Sequence, residues 1–170
     1  MRFSKEEIIT MEVKDIARYF LSKDKENKLF TKKLINLSGK DYYEGNVRLN
    51  KYLYLAQTLH LAKYGSLLFE DNIIAHDSGC FIKEVMNDFF ALLVTKNNDI
   101  SLDEKIRVFL DKIYKALEKA NCNELIEIWR EDTAWKELNP KIEKNPVIDV
   151  LKYKEKYVRQ YKGIIKVMKI

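Results

Sequence analysis

Residues 48 to 64 read Arg-Leu-Asn-Lys-Tyr-Leu-Tyr-Leu-Ala-Gln-Thr-Leu-His-Leu-Ala-Lys-Tyr. Leu49, Tyr52, Leu53, Tyr54, Leu55, Ala56, Leu59, Leu61, Ala62 and Tyr64 leave the segment apolar on nearly every side. A helix apolar all round is a buried one. Gly65 follows where a left-handed residue commonly ends a helix. The stretch therefore predicts a central helix from Arg48 to Tyr64 that the rest of the chain must cover.

Upstream, Val13, Ile16, Ala17, Phe20 and Leu21 recur at helical spacing and predict a helix over about Lys5 to Ser22. Between Asp24 and Gly45, Leu29, Phe30, Leu34, Ile35 and Leu37 suggest a short helical piece, and Ser38-Gly39 and Tyr42 to Gly45 a loop. Downstream, Leu67-Leu68-Phe69 and Ile73-Ile74-Ala75 read as two short extended pieces around the polar turn Glu70-Asp71-Asn72. Helical periods return in Ile82 to Leu93 and in Ile106 to Leu117. The second opens with Ser101 and Glu104, spaced for reciprocal capping, and Asn121 with Glu124 repeats that spacing before Leu125 and Ile128. Asn145-Pro146 is expected to open a last helix, with Val147, Leu151, Val158, Tyr161, Ile165 and Met168 as its inner stripe. The expectation is an all-α, mainly helical domain spanning residues 1–170, with six or seven helices and at most a very short β-hairpin.

Composition narrows the class. With 5 Gly and 2 Pro in 170 residues, the chain lacks the turn density of a sandwich or barrel. Hydrophobic residues make up 46% and charged residues 34%, enough to bury a core and solvate its outside. Two cysteines, Cys80 and Cys122, form no disulfide framework, and no apolar run approaches the ~20 residues that cross a bilayer. A cytoplasmic location without membrane contact is expected. The net charge of +5 is concentrated at one end, because residues 151–170 hold seven Lys or Arg and only one acid, Glu155. That asymmetry marks the last helix, residues 146–169, as a basic element on a nearly neutral body.

Few residues have the spacing that catalysis requires. His60 sits among Leu59 and Leu61 and reads as a core histidine with one hydrogen-bond partner. His76, Asp77 and Cys80 could place two metal ligands near each other, but zinc needs three or four. A Cys80–His76 dyad lacks an orienting acid. Ser38-Gly39-Lys40 lacks the preceding glycine of a phosphate-binding loop. No catalytic residue, metal or cofactor is expected.

The block from Arg48 to Gln57, with Leu59-His60-Leu61-Ala62, Gly65, Leu67-Leu68-Phe69, Ile73-Ile74-Ala75 and Gly79, resembles the SocA-like Panacea domain, often labelled phage-associated protein. Val13 to Leu21 looks like the opening helix of that family, and Glu124-Leu125 and Trp135-Lys136 look like its closing motifs. Residues 24–45 look like an insertion. The resemblance implies a non-enzymatic antitoxin that binds and blocks a toxin encoded nearby, with some members delivering the toxin to a protease or its unfoldase. The matching residues Leu49, Lys51, Tyr54, Ala56, Gln57, Gly65, Phe69, Gly79 and Trp135 are expected to be structural, Gln57 by satisfying a neighbouring backbone group.

The partner surface is then expected on the basic last helix, at Lys152, Tyr153, Lys156, Tyr157 and Arg159. The alternative is nucleic acid, since lysines interleaved with tyrosines suit phosphate contact with base stacking.

Overall fold

The computed structural model describes residues 10–76, 79–138 and 145–169. They form eight α-helices and two small sheets, so the molecule is mainly helical with more β structure than the single short hairpin expected.

The first helix, α1 (Val13–Ser22), buries Val13, Ile16, Ala17, Phe20 and Leu21 as its periodicity requires. The start expected near Lys5 falls partly outside the described residues, and Thr10 to Glu12 are not helical. Residues 34–43 are a β-hairpin instead of a short helix: β1 (Leu34–Leu37) pairs antiparallel with β2 (Lys40–Tyr43). Ser38 and Gly39, at φ 52° and 84°, make the two-residue turn with positive φ at both positions that matches strand twist.

The central helix, α2 (Glu44–Tyr64), starts four residues earlier than its apolar pattern. Its first N–H groups find their acceptors in the preceding segment, Glu44 N–H on Lys33 O at 2.7 Å and Gly45 N–H on Thr31 O at 2.9 Å. Every residue from Gly45 to Leu61 is buried, and Gly65 ends the helix in the left-handed conformation, φ 76°. The polar side chains of α2 stitch it to what surrounds it. Asn50 Oδ1 accepts from Ile82 N at 2.8 Å, Asn46 Nδ2 donates to Met86 O at 2.9 Å, and an Arg48 nitrogen donates to Ala120 O at 2.7 Å.

The second sheet has the order β4–β3–β5, from β3 (Ile73–His76), β4 (Gly79–Ile82) and β5 (Val147–Ile148). Leu67 to Phe69, expected as an extended piece, is irregular with a bend at Leu68; it is held by Gln57, whose Oε1 accepts from Leu68 N at 2.7 Å and whose Nε2 donates to Phe69 O at 2.6 Å. The helical period at Ile82 to Leu93 is divided by Asp88 (φ −106°, ψ 18°) into α3 (Lys83–Asn87) and α4 (Phe89–Thr95).

Next comes α5 (Glu104–Leu117), capped by Asp103, which accepts from Lys105 N, rather than by Ser101. Then follow α6 (Cys122–Arg130) and α7 (Thr133–Leu138). The reciprocal cap before α6 is present: Asn121 N–H reaches Glu124 Oε1 at 3.1 Å and Glu124 N–H reaches Asn121 Oδ1 at 2.8 Å. Asn145-Pro146 opens β5 and not a helix, because Ile148 gains more by adding to the edge of β3, where it pairs with Ile73 and is buried. A 3-10 turn (Val150–Tyr153) then leads into α8 (Lys154–Met168), which lies along α2. No described helix is long and apolar enough to cross a membrane.

Candidate functional site: the carboxy-terminal helix and the groove beside it

The inner face of the last helix is a stripe of tyrosines. Tyr153, Tyr157 and Tyr161, each four residues from the next, are buried, whereas Leu151 and Val158 are 54% and 42% exposed. The expected inner stripe holds at Tyr161, Ile165 and Met168 and is corrected at Val147, Leu151 and Val158, whose place inside is taken by Tyr153 and Tyr157. The reason lies in α2, which offers polar partners that phenols can use and aliphatic side chains cannot.

Those partners form a chain of hydrogen bonds. Tyr54 donates to Asp132 Oδ2 at 2.7 Å, so the Tyr157 hydroxyl, 2.7 Å from Tyr54 Oη, must donate to it. Asp132 Oδ2 also accepts from Trp135 N at 3.0 Å and so caps α7. One turn along α2, Thr58 Oγ1 donates to Tyr54 O and stands 3.0 Å from the Tyr161 hydroxyl. Burial raises the pKa of Asp132 and of all three phenols, so Tyr54, Tyr157 and Tyr161 are neutral at any physiological pH. The network ties α2, α7 and α8 together and presents no exposed reactive group.

This arrangement separates the five residues expected to contact a partner. Lys152 and Arg159 are exposed and Lys156 is half-buried, but Tyr153 and Tyr157 are inside the protein. Lys152 and Lys156 hold their ammonium groups 5.7 and 5.4 Å from the Tyr153 ring, and Lys156 pairs with Glu137 at 2.8 Å. The tyrosines needed for base stacking are thus covered, which removes the aromatic half of the nucleic-acid reading.

Other candidates for chemistry are committed elsewhere. His60 is buried, with Nδ1 donating to Ser66 O at 2.8 Å; burial lowers its pKa against the opposing pull of that carbonyl. Cys80 is buried and its thiol is pushed well up by that burial, with the Lys51 charge pulling the other way. His76 O accepts from Trp135 Nε1 at 2.8 Å, and Asp77 lies outside the described residues. Among the described residues, no three His, Cys, Asp or Glu side chains gather in a metal-binding group.

The family-signature residues line up behind this site. Leu49, Ala56 and Phe69 are in the core, Gln57 clamps Leu68 and Phe69, and Gly65 and Gly79 hold positive φ. Lys51 is fully buried with its ammonium 5.1 Å from the Phe81 ring.

Beside α8 lies a feature that the sequence reading missed, an apolar groove of about 510 Å³. Leu55 and Leu59 of α2, Ile113, Ala116 and Leu117 of α5, Ile128 of α6, and Gly163, Ile164, Val167 and Met168 of α8 line it, with Gln160 and Tyr161. Its sequence signal was the apolar excess at Ile164 and Val167, outside any single inward stripe.

No curated protein and no solved structure matches the chain. A family model described as "Antitoxin SocA-like, Panacea domain" matches residues 49–136, from the first turns of α2 through α7 and excluding the β1–β2 hairpin and α8, and since that is more than half of its length the chain belongs to this family.

Proposed function

We propose that the chain is a non-enzymatic antitoxin that works in the cytoplasm as a single domain, binding a protein toxin encoded beside it and blocking it. The observation that carries this reading is the family match over residues 49–136. Two features support it. Cys80, Cys122 and His60 are buried, His60 with its Nδ1 on Ser66 O, and the exposed cations of α8 form a field that would steer an acidic partner. The signature residues act as scaffold, and the partner surface falls on Lys152, Lys156 and Arg159, with Tyr153 and Tyr157 supporting α8 from below. Delivery of the toxin to a protease or its unfoldase is the finer form of the same activity.

Co-expression with the adjacent gene product tests this. The chain should restore growth and co-elute with that product, and loss of rescue in cells lacking the protease would identify the delivery route. The triple change Lys152→Glu, Lys156→Glu and Arg159→Glu should preserve the circular dichroism spectrum and slow association about tenfold or more at low salt. No rescue by any neighbouring gene, or turnover of a small molecule by the purified chain, would overturn the reading.

A further inference from the structure

The groove beside α8 has the composition of a docking site. Its floor is Leu55 and Leu59, and the side chains at its rim are apolar yet wet: Ile128 is 44% exposed, Ile164 46% and Val167 81%. Contiguous apolar surface of this kind marks a place where another molecule sits. The walls are helices, and the hydrogen bonds from Tyr157 and Tyr161 to α2 hold α8 in place, so the groove is formed before anything enters it.

Gly163 points the same way by a separate argument. It lies in the interior of α8 and lines the groove. A Cβ added there would meet nothing within 4 Å, so the fold of this chain has no steric need for glycine. Glycine weakens a helix interior relative to alanine, and its remaining use is close approach by another backbone.

Charge selects the kind of partner. Lys115 and Lys119 on and just after α5, and Arg159, Lys162 and Lys166 on α8, form no ion pair among the described residues. Two acids on the Ile128 side are already engaged, Glu124 with Asn121 N–H and Glu131 with Lys136. Glu127 is engaged as well, and Glu118, exposed beside Leu117, is the unpaired acid on this side among the described residues, so the unpaired charge flanking the groove is five cations against one acid and is net positive. A second copy docked by a two-fold axis would bring α8, with these same cations, against its own counterpart.

We propose that the groove between α2, α5, α6 and α8 receives an amphipathic helix of the partner, apolar on one face and acidic along its flanks, which crosses α8 at Gly163. This deepens the antitoxin reading and rests on it. A helix laid in a groove anchors through side chains at i, i+3 or i+4, and i+7, which suits an apolar trough whose lining comes from four helices.

The test uses the purified chain and the co-encoded gene product, with calorimetric titration of wild type, Gly163→Ala and Gly163→Trp. Gly163→Ala should raise the melting temperature of the free protein by a few degrees and weaken binding about tenfold; Gly163→Trp should fold, by circular dichroism, and abolish binding. A photo-crosslinking residue at position 167 should capture a partner segment that is helical, apolar on one face and acidic beside it. If wild type binds and both Gly163 variants bind equally well, the groove is not the site and the antitoxin reading stands. A crosslink to a basic or non-helical segment also overturns the proposal. If wild type forms no complex, both readings fall together. Sedimentation showing a dimer that Gly163→Trp dissociates assigns the groove to a second copy and overturns the acidic partner helix.

Discussion

Changing Tyr54 to Phe deletes one oxygen from the middle of the buried chain Tyr157–Tyr54–Asp132. In the native protein Tyr54 donates to Asp132 Oδ2 and receives from Tyr157, both at 2.7 Å. Without it, the carboxylate keeps the Trp135 N–H at 3.0 Å but loses its phenol, and the Tyr157 hydroxyl loses its acceptor in a site closed to water. A lost bond to a charged group together with a stranded hydroxyl amounts to about 2 to 4 kcal/mol. Tyr157→Phe removes only the outer link and leaves Tyr54 on Asp132, so it should cost about 0.5 to 1.5 kcal/mol. Urea denaturation at 25 °C and pH 7 measures both, and the double variant should cost less than the two singles combined, because they share a bond. The loss at Tyr54 also depends on pH. Burial holds the Asp132 pKa above its ordinary 3.8, and the Tyr54 hydrogen bond opposes that rise, so Tyr54→Phe lifts the folded-state value further. Above pH 3.8 the unfolded chain releases the Asp132 proton while the folded chain retains it, so stability declines as pH rises up to the folded pKa. The deficit of Tyr54→Phe should therefore be smaller at pH 4 than at pH 7. Equal losses for the two single variants, or a Tyr54→Phe deficit that is flat with pH, would refute the assigned direction of the chain.

Two further predictions concern α2. A Cβ on Gly45 would lie under 3.0 Å from the Phe30 carbonyl carbon and from Thr31 N and O, all backbone atoms that cannot rotate away. Gly45→Ala should therefore destabilise by about 3 kcal/mol, at the upper end for overpacking, and a thermal melt near that of wild type would show that residues 30–31 do not press on the start of α2. His60 is held neutral when folded because burial lowers its pKa below 6.5, so its contribution is complete above pH 6.5 and lost as pH falls through the folded value. His60→Phe, which keeps ring packing on Tyr64 and Phe109, should melt with a shallower decline between pH 7 and pH 5 than wild type; parallel curves would remove His60 as the source.

Local signals were read correctly where the chemistry is local. Gly65 stops α2 because glycine enters the left-handed conformation without the strain a Cβ brings, and Asn121 with Glu124 caps α6 through bonds that span three residues. The burial of residues 49–61 was equally legible, since apolar side chains on every face of a helix leave no side for water. The β1–β2 hairpin had a signal too, the Ser38-Gly39 pair between apolar runs, and was misread because Leu34, Ile35 and Leu37 fit a helical turn as well as a strand.

The helical class, the central helix with its stop at Gly65, and the basic character of the last twenty residues were legible from residue order alone. Contacts between distant segments settled that Val147-Ile148 joins β3, that Tyr153 and Tyr157 and not Leu151 and Val158 join Tyr161 on the inner face, and that α2, α5, α6 and α8 leave a groove at Gly163. A cap or a turn is settled by neighbours a few residues apart, within reach of a pattern. Which face of α8 turns inward is settled by Tyr54 and Thr58, about a hundred positions away, whose hydroxyls give the phenols of Tyr157 and Tyr161 acceptors that no repeat within α8 could reveal.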